Sequence, residues 1–331
     1  MNKIVFDDIH TQDKQQRLKA MMAKVAAETL ELPNDNPRLA TCPVCNSPSI
    51  TFYLQQYGYD LDRCQSCRHI FTNPMPSQVQ LDHYYNSDMK TFENDFFNDS
   101  FEQRIPIFNY RIQRIGDYLP QGRLLDVGSA IGIFVEAMMR SNSELRLECC
   151  EPSRDASQRL SQRYPSVPLH ECWLQDLEVK EQYDAISLWD TLEHVVEIET
   201  FGLTIRQLLK PGGFWFFSTP NTHSLEWEVA GRQHVQLLPP GHVNLFNKDN
   251  IQLYLERLGF DWVSIETPNG SLDVSYVQKI IGSDPKIDAN IGGFLKRNIQ
   301  SASFADTLAE LLVKERLGGN IFVVAQRPIN G

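Results

Sequence analysis

Four cysteines near the start of the chain stand in two closely spaced pairs. The segment CPVC supplies Cys42 and Cys45, CQSC supplies Cys64 and Cys67, and residues 46–63 separate the pairs. Two short turns of this kind can present four thiolates to one tetrahedral zinc ion, and a closed shell of four sulfurs makes such an ion structural rather than catalytic. Four free cysteines that happen to pair, or a redox site, are the alternatives. The spacing therefore predicts a structural Zn²⁺ site.

A second pattern, LLDVGSAIG at residues 124–132, ends an apolar run with an acid followed by two glycines. Asp126 precedes the turn, and Gly128 and Gly132 allow close approach of the backbone. Glu151 closes the next apolar run, LECCEPS. An acid at the end of a second strand suits a ribose diol, whereas an acid at the end of the first would repel a pyrophosphate. S-adenosylmethionine combines a ribose with an ammonium and a sulfonium group, so the pattern favours this cofactor.

The same turn has two other interpretations. A tight strand-to-helix turn with no ligand is common for a single pair of glycines. A dinucleotide fingerprint requires G-x-G-x-x-G, but Ala130 and Ile133 stand where its second and third glycines would be. No phosphate-binding G-x-x-x-x-G-K-[ST] pattern occurs at this turn either. The dinucleotide interpretation is therefore the weakest of the three.

The elements that must hold these residues follow from the order of the apolar runs. From residue 123 onward, strand-like runs alternate with helical segments, which predicts a mostly parallel sheet with helices on both faces and ligands at the carboxyl ends of its strands. We therefore predict an α/β, Rossmann-like fold with a seven-stranded sheet, preceded by a small zinc-binding module. The predicted domains are a helical N-terminal segment at 1–40, the zinc module at 41–75, a helical linker or lid at 76–119, and the sheet domain at 120–331 with insertions at about 221–245 and 268–318.

Composition limits the compartment and the partners. The chain has 331 residues and a formal net charge of −11, and this acidic balance disfavours sequence-independent binding to nucleic acid. Seven cysteines in a chain of this length do not indicate a secreted disulfide scaffold, and Cys149, Cys150 and Cys172 lie in apolar runs typical of a core. The N-terminal residues lack the apolar stretch of a signal peptide, and no apolar run is long enough to span a membrane. We therefore expect a cytoplasmic protein.

The chain resembles the class I S-adenosylmethionine-dependent methyltransferases over about residues 120–265. The resemblance rests on LLDVGSAIGIF, ECCEPS, YDAISLWDTLEHV, LLKPGGFWFFSTPN and PPGHVNLFNKDNIQLYLERLGF, in this order. The upstream CPVC…CQSCRHIFTNPMPSQVQLDHYY is similar to the zinc-ribbon-type segment that precedes this domain in bacterial enzymes modifying sugars, surface polysaccharides or other small metabolites. Ala130 stands where the first motif more often has glycine. The resemblance implies an enzyme that transfers a methyl group to a small-molecule acceptor.

The resemblance also implies which residues hold the methionine and ribose parts of the cofactor. Asp126, Gly128, Ser129 and Gly132 would shape the pocket for the methionine part. Glu151 would bind the ribose hydroxyl groups. The resemblance places all five at the ends of the first two predicted strands.

The adenine and the reaction centre are assigned in the same way. The segment CWLQDL would face the adenine, with Trp173, Leu174 and Asp176 as candidates. Trp173 is equally compatible with a core aromatic residue. Asp190, which ends ISLWD, would face the place where cofactor and acceptor meet.

Three histidines are candidates for a catalytic base. Methyl transfer from a sulfonium centre is a direct displacement, so the protein mainly aligns the acceptor and excludes water. A hydroxyl or acidic-carbon acceptor also needs a base, for which histidine is suited at neutral pH. We rank His223 and His242 ahead of His194. Each is also compatible with a hydrogen-bonded structural role.

Two long segments lie outside the alternating pattern. Residues 221–245 mix aromatic, histidine, arginine and proline residues, which favours a lid over the acceptor, with a solvent-exposed insertion as the alternative. Residues 268–318 are less readable and could add to substrate binding or to a homodimer interface.

Three functions from different classes are compared. The first is a methyltransferase acting on a sugar, a nucleotide-linked sugar, a polysaccharide end or another metabolite. The second is an RNA methyltransferase whose zinc module contacts RNA, which is disfavoured because only Arg63 and Arg68 are basic between the first cysteine and residue 69. The third is a non-catalytic protein acting through protein contacts, against which the intact set of cofactor acids argues.

Overall fold

The computed structural model describes residues 5–9, 12–178, 181–283 and 290–330. The N-terminal part combines helices with three short strands. Its elements are α1 (Phe6–Ile9), α2 (Gln12–Leu30), β1 (Ile50–Gln56), β2 (Tyr59–Cys64), β3 (Ile70–Thr72), α3 (Gln78–Tyr85), α4 (Asp88–Asp99) and α5 (Phe101–Tyr118). Ser77 and Gln80 form a capping box that fixes the start of α3.

The central part alternates strands and helices, as the order of apolar runs predicts. Its elements are β4 (Gln121–Val127), α6 (Ile133–Arg140), β5 (Glu144–Cys150), α7 (Arg154–Arg163), β6 (Leu169–His170), β7 (Tyr183–Trp189), α8 (Ile198–Leu208) and β8 (Leu209–Pro220). Strand β7 is apolar and buried along most of its length, which is typical of a strand covered by helices on both faces.

The C-terminal part adds two strands to the sheet and a group of helices beside it. Its elements are α9 (Leu225–Ala230), β9 (Asn244–Leu245), α10 (Lys248–Arg257), β10 (Asp261–Glu266), α11 (Gly270–Ser283), α12 (Asn290–Asn298), α13 (Ala302–Lys314) and β11 (Asn320–Gln326). The predicted insertion at 268–318 is therefore largely helical where it is described, and its residues 284–289 lie outside the described residues.

The main sheet has seven strands in the order β10-β11-β8-β7-β4-β5-β6. Strand β11 runs antiparallel to both of its neighbours, and the other pairings are parallel. The chain passes from β4 to β5 on one side of β4 and later returns to β7 on the other side of β4. A crevice therefore opens at the carboxyl ends of β4 and β7. The predicted fold class is confirmed, and the crevice lies where the sequence places its acids.

The small N-terminal sheet is joined to the rest of the chain. Its order is β1-β2-β3-β9, so its last strand comes from the segment that follows β8. Cys42 and Val44 belong to the same apolar cluster as Trp215, Phe246 and Tyr254. The cysteine-containing segment therefore packs on the main core. Among the described residues, no helix combines the length and the apolar character needed to cross a membrane.

Candidate active site

Asp126 lies near the carboxyl end of β4 and is fully buried. Its Oδ1 accepts a hydrogen bond from the hydroxyl of Ser187 at 2.7 Å, whereas Oδ2 has no partner among the described residues. Burial raises the pKa of Asp126 to about 7. A buried carboxylate oxygen without a donor is destabilised unless a ligand supplies one, so it fits the ammonium group of the methionine part of S-adenosylmethionine.

The turn after β4 brings backbone close to the crevice. Gly128, Ala130 and Gly132 have φ angles of 72°, 46° and 85°, all in the left-handed region. A Cβ atom on Gly128 would lie 2.7 Å from Oγ1 of Thr191, so only glycine fits there. Ser129 closes the turn because its hydroxyl donates to a β4 carbonyl at 2.8 Å. The predicted residues of this turn are therefore held in one compact loop before α6.

Glu151 follows β5 and is buried beside that loop. Its two carboxylate oxygens accept hydrogen bonds from the backbone N–H groups of Ala130 and Ser153, each at 2.8 Å. Burial raises the pKa of Glu151. Each oxygen retains a further lone pair, so the carboxylate can also accept from a pair of ribose hydroxyls. Ala130 thus contributes its backbone, and its methyl group does not prevent this contact.

The adenine candidates line the same cavity as the two acids. This cavity has a volume of about 940 Å³. Trp173 is 40% exposed and contacts the ring of Tyr85 edge-on, at 5.6 Å between centroids, so it is not a core aromatic residue. Leu174 is buried and Asp176 is exposed, both in a short 3₁₀ turn that Trp173 precedes. The apolar surface of Trp173 and Leu174 suits the face of an adenine ring, and the carboxylate of Asp176 suits its amino group.

Asp190 stands directly after β7 with a φ of 51°, an uncommon conformation for aspartate. One carboxylate oxygen accepts from Arg111 at 3.2 Å and the other from the amide of Asn320 at 2.5 Å. Arg111 in turn lies 4.8 Å from the centre of the Trp189 ring. Asp190 is therefore fixed by groups from α5 and β11 at the mouth of the crevice.

His194 and His242 meet inside the cavity. Their rings are perpendicular, with centroids 4.6 Å apart. Nδ1 of His242 donates to the carbonyl of Gln236 at 2.9 Å, which leaves Nε2 unprotonated in the neutral ring, and burial lowers the pKa of His242 to about 4. Burial also holds the pKa of His194 well below its usual value, and Nδ1 of His194 has no partner in the described structure. Both rings are therefore uncharged at neutral pH and keep a nitrogen lone pair, but burial makes them weaker bases than a free imidazole.

His223 lies apart from the other two histidines. Its Nδ1 is 3.0 Å from Oδ2 of Asp249, at the start of α10, and its side chain is 33% exposed. It is not among the residues that line the cavity. The structure thus brings together two of the three histidines that the sequence singled out.

Glu193 completes a cluster with His194 and His242. Ligand atoms of the three side chains lie within 4.8 Å of one another, close enough to hold one metal ion or to exchange protons. Burial raises the pKa of Glu193, and its Oε2 accepts from the hydroxyl of Thr219 at 3.0 Å. All three residues line the same cavity as Asp190.

The four N-terminal cysteines converge as predicted from their spacing. The sulfur atoms of Cys42 and Cys67 lie 3.6 Å apart, as do those of Cys45 and Cys64, and all four lie within 4.8 Å of one another. Four sulfurs at the Zn–S bond length in a tetrahedron would be separated by about 3.8 Å. The residues therefore fit a zinc ion that has no open coordination position.

Several charged residues of the cavity wall were not found by sequence reasoning. They are Lys90, Arg104, Arg111, Glu226 and Asp273. These residues lie on α4, α5, α9 and α11, outside the alternating pattern, so no strand end marked them. Their only sequence signal is a charged residue on the apolar face of a helix, and which face is apolar depends on packing that the sequence does not state.

Comparison with known proteins supports the assignment of the domain. Residues 101–265 match the model of a methyltransferase domain family. The ubiquinone biosynthesis O-methyltransferase of Bordetella avium is 31% identical over 140 residues, which cover 39% of this chain and 57% of that protein. The enzyme of the same name from Proteus mirabilis is 30% identical over 149 residues, covering 42% and 59%. Residues 101–265 therefore form a methyltransferase domain, similar to those of the class I S-adenosylmethionine-dependent enzymes.

Solved structures are similar at lower identity. Phosphoethanolamine N-methyltransferase 2 of Haemonchus contortus, in complex with S-adenosyl-L-methionine, has 20% identity and a TM-score of 0.42, covering 66% of this chain and 52% of that one. Geranyl diphosphate C-methyltransferase of Streptomyces coelicolor has 13% identity and a TM-score of 0.43, covering 66% and 75%. The chain spans only 57% to 59% of the length of the two curated relatives described above.

Proposed function

We propose that this protein is an S-adenosylmethionine-dependent methyltransferase acting on a small-molecule acceptor. The observation that carries the proposal is the pair of buried acids, Asp126 and Glu151, at adjacent strand ends on one cavity. The first has an oxygen without a donor, and the second is oriented by two backbone N–H groups. These features fit an ammonium group and a ribose diol on one ligand.

The chemistry divides between alignment and proton removal. S-adenosylmethionine, when bound, supplies the methyl group and its sulfonium leaving group. Phe96 and Phe97 of α4 and Phe108 of α5 line the cavity and exclude water from it. The acceptor is held beside Asp190. His242 or His194, both neutral and both offering a nitrogen lone pair, takes the proton of an acceptor hydroxyl. His223 has no comparable position and is set aside for this role.

The acceptor that we favour is attacked through oxygen. The relatives with about 30% identity are named O-methyltransferases, and the two cavity histidines offer nitrogen lone pairs to which an acceptor hydroxyl can donate. A sugar, a nucleotide-linked sugar and a polysaccharide end stay within this proposal, together with phenolic metabolites. A volume of about 940 Å³ is enough for the cofactor and an acceptor of modest size.

The zinc module is proposed to be structural. Three of its four cysteines are buried, and Asn247 of the sheet domain donates to the carbonyl of Cys67 at 3.2 Å. Arg63, one of its two arginines, covers the ring of Tyr53 at 4.7 Å. A module that is packed in this way offers little free surface for RNA, which argues against the RNA alternative.

The experiment is transfer of radioactive methyl from labelled S-adenosylmethionine to acceptors. Phenolic, sugar and nucleotide-sugar acceptors are incubated separately with the purified protein, and structured RNA is included as the opposing class. Label in a small-molecule product supports the proposal. Label in RNA alone, or in no acceptor although the cofactor binds, would contradict it.

A further inference from the structure

Two acidic side chains converge on one glycine pair at the far end of the cavity. Glu226 comes from α9 and Asp273 from the first turn of α11, and both line the cavity. A Cβ atom on Gly319 would overlap the Glu226 carboxylate, and one on Gly318 would overlap Oδ2 of Asp273. The glycine pair therefore provides the space in which two carboxyl groups from separate helices come together.

The surroundings of this pair are buried. Glu226 is 8% exposed and Asp273 is 3% exposed. Nε2 of His234 lies 3.2 Å from Glu226, and Nδ1 of the same ring accepts from the backbone of Gln236, so the neutral ring donates through Nε2. Oδ2 of Asp273 has no hydrogen-bond partner among the described residues.

Neither acid forms an ion pair with a lysine or arginine in the described part of the chain. In the described part of the chain, the ion-pair partner of Glu226 is His234, and burial lowers the pKa of that ring to about 3, so it is neutral. Asp273 forms no ion pair with a lysine or arginine there, although Arg232 lines the same cavity. Burial raises the pKa of Glu226 to about 8, and burial together with the nearby Glu226 raises that of Asp273. Without a ligand the pair therefore tends to stay protonated, and a bound cation would stabilise its ionised form.

The pair lies close to the proposed reaction centre. Asn320 follows Gly319 in the chain, and its amide donates to Asp190 at 2.5 Å. Asn221, at the end of β8, donates through its side-chain amide to the carbonyl of Gly318 at 2.9 Å. The two acids are thus built onto the same sheet edge as Asp190, on the side away from Glu151.

We infer that Glu226 and Asp273 form an acceptor-binding site for an ammonium group. This inference rests on the proposed function and specifies the substrate class: an acceptor that carries a protonated amine as an anchor, in addition to the atom that is methylated. The ammonium hydrogens would donate to Oδ2 of Asp273 and to Glu226, while His234 holds Glu226 in place. Neutral hydroxyl-rich acceptors are the competing class.

The test uses two probes that share a ring and differ in their polar group, which is charged in one and neutral in the other. Cyclohexylammonium and cyclohexanol have the same ring, and their binding to the full chain loaded with S-adenosylhomocysteine is measured by saturation-transfer NMR titration near neutral pH. We expect the ammonium probe to bind at least about tenfold more tightly than the alcohol, because a hydrogen bond between buried charged groups is stronger than one between neutral groups. Equal binding, or binding of neither probe, would overturn the ammonium site.

Conservative variants assign the binding to these two residues. Glu226→Gln and Asp273→Asn should each weaken binding of the ammonium probe about tenfold and leave that of the alcohol unchanged. Glu228→Gln, an exposed acid on the same helix, is the matched control. Unchanged ammonium binding in both site variants would refute the assignment. Affinity for S-adenosylhomocysteine is titrated separately, so loss of the cofactor site, which would remove the proposed function, is distinguished from loss of the ammonium site.

Discussion

Nε2 of His69 and Oδ1 of Asn244 lie 2.9 Å apart, although the two residues are 175 positions apart in the chain. His69 follows the second cysteine pair, and Asn244 stands two residues after His242. Backbone pairing of Ile70 with Leu245 reinforces the same contact. The cysteine module therefore supports the segment that carries a candidate catalytic histidine, which gives the module a role in positioning the active site.

Removing this contact should lower the stability of the protein without removing zinc. Asn244→Ala leaves the buried His69 ring without its partner, so we expect a loss of about 1–3 kcal/mol in the free energy of unfolding. Urea denaturation measures this loss, and zinc content should stay at the wild-type level. Asn142→Ala, at an exposed asparagine, serves as the control. Equal stability of the two variants would show that the contact does not support the loop.

Zinc should be bound in one copy per chain by the four cysteines. Cys42→Ser removes a ligand from a closed shell, so the metal content should fall. The free energy of unfolding should fall with it, by several kcal/mol. Cys172→Ser changes a partly buried cysteine outside the cluster and should leave the metal content unchanged. Elemental analysis of both variants is the measurement. A stable wild-type protein purified without metal would contradict the zinc site.

The two cavity histidines should act on the rate and not on cofactor affinity. His242→Ala and His194→Ala are expected to lower kcat by about 10²- to 10⁴-fold if either is the base. Since burial lowers the pKa of His242 to about 4, protonation of this ring should reduce kcat only near that pH. His223→Ala, at the half-buried histidine outside the cavity, should retain activity. Loss of activity in that variant alone would reverse our assignment.

The stability of the protein should depend on pH through Glu226. The folded state raises the pKa of Glu226 from 4.5 to about 8, so its stabilising contribution is complete below the lower value and is lost as pH rises through the higher one. The free energy of unfolding of Glu226→Gln, taken relative to that of the wild type, should therefore be higher at about pH 9 than at about pH 5. Urea unfolding at both pH values, with Glu228→Gln as control, provides the comparison. Parallel curves for wild type and Glu226→Gln would contradict the raised pKa.

The sequence predicts best where chain order and spatial order coincide. Asp126, Glu151 and Asp190 could be placed because the carboxyl ends of parallel strands meet at one edge of the sheet. The cysteine pairs could be placed because their spacing alone defines the ligand geometry. The seven-stranded sheet follows from the alternation of strands and helices.

Other parts of the site depend on contacts that spacing does not reveal. His223 and His242 look alike in sequence, but the pairing of β3 with β9 places only His242 in the cavity. Glu226 and Asp273 meet because α9 and α11 pack together beside the sheet, which no local pattern encodes. A cytoplasmic location, a homodimer and the predicted domain boundaries stay predictions.

The cofactor site is tested by calorimetric titration of the full chain with S-adenosylhomocysteine, for wild type and for Glu151→Ala. Asp126→Asn is titrated beside them, and Glu171→Gln, an exposed acid, is the control. We predict that the wild type and the control bind, and that each site variant binds about ten- to a hundredfold more weakly while remaining folded. No binding by the folded wild type, or equal binding by all four proteins, would contradict the cofactor site.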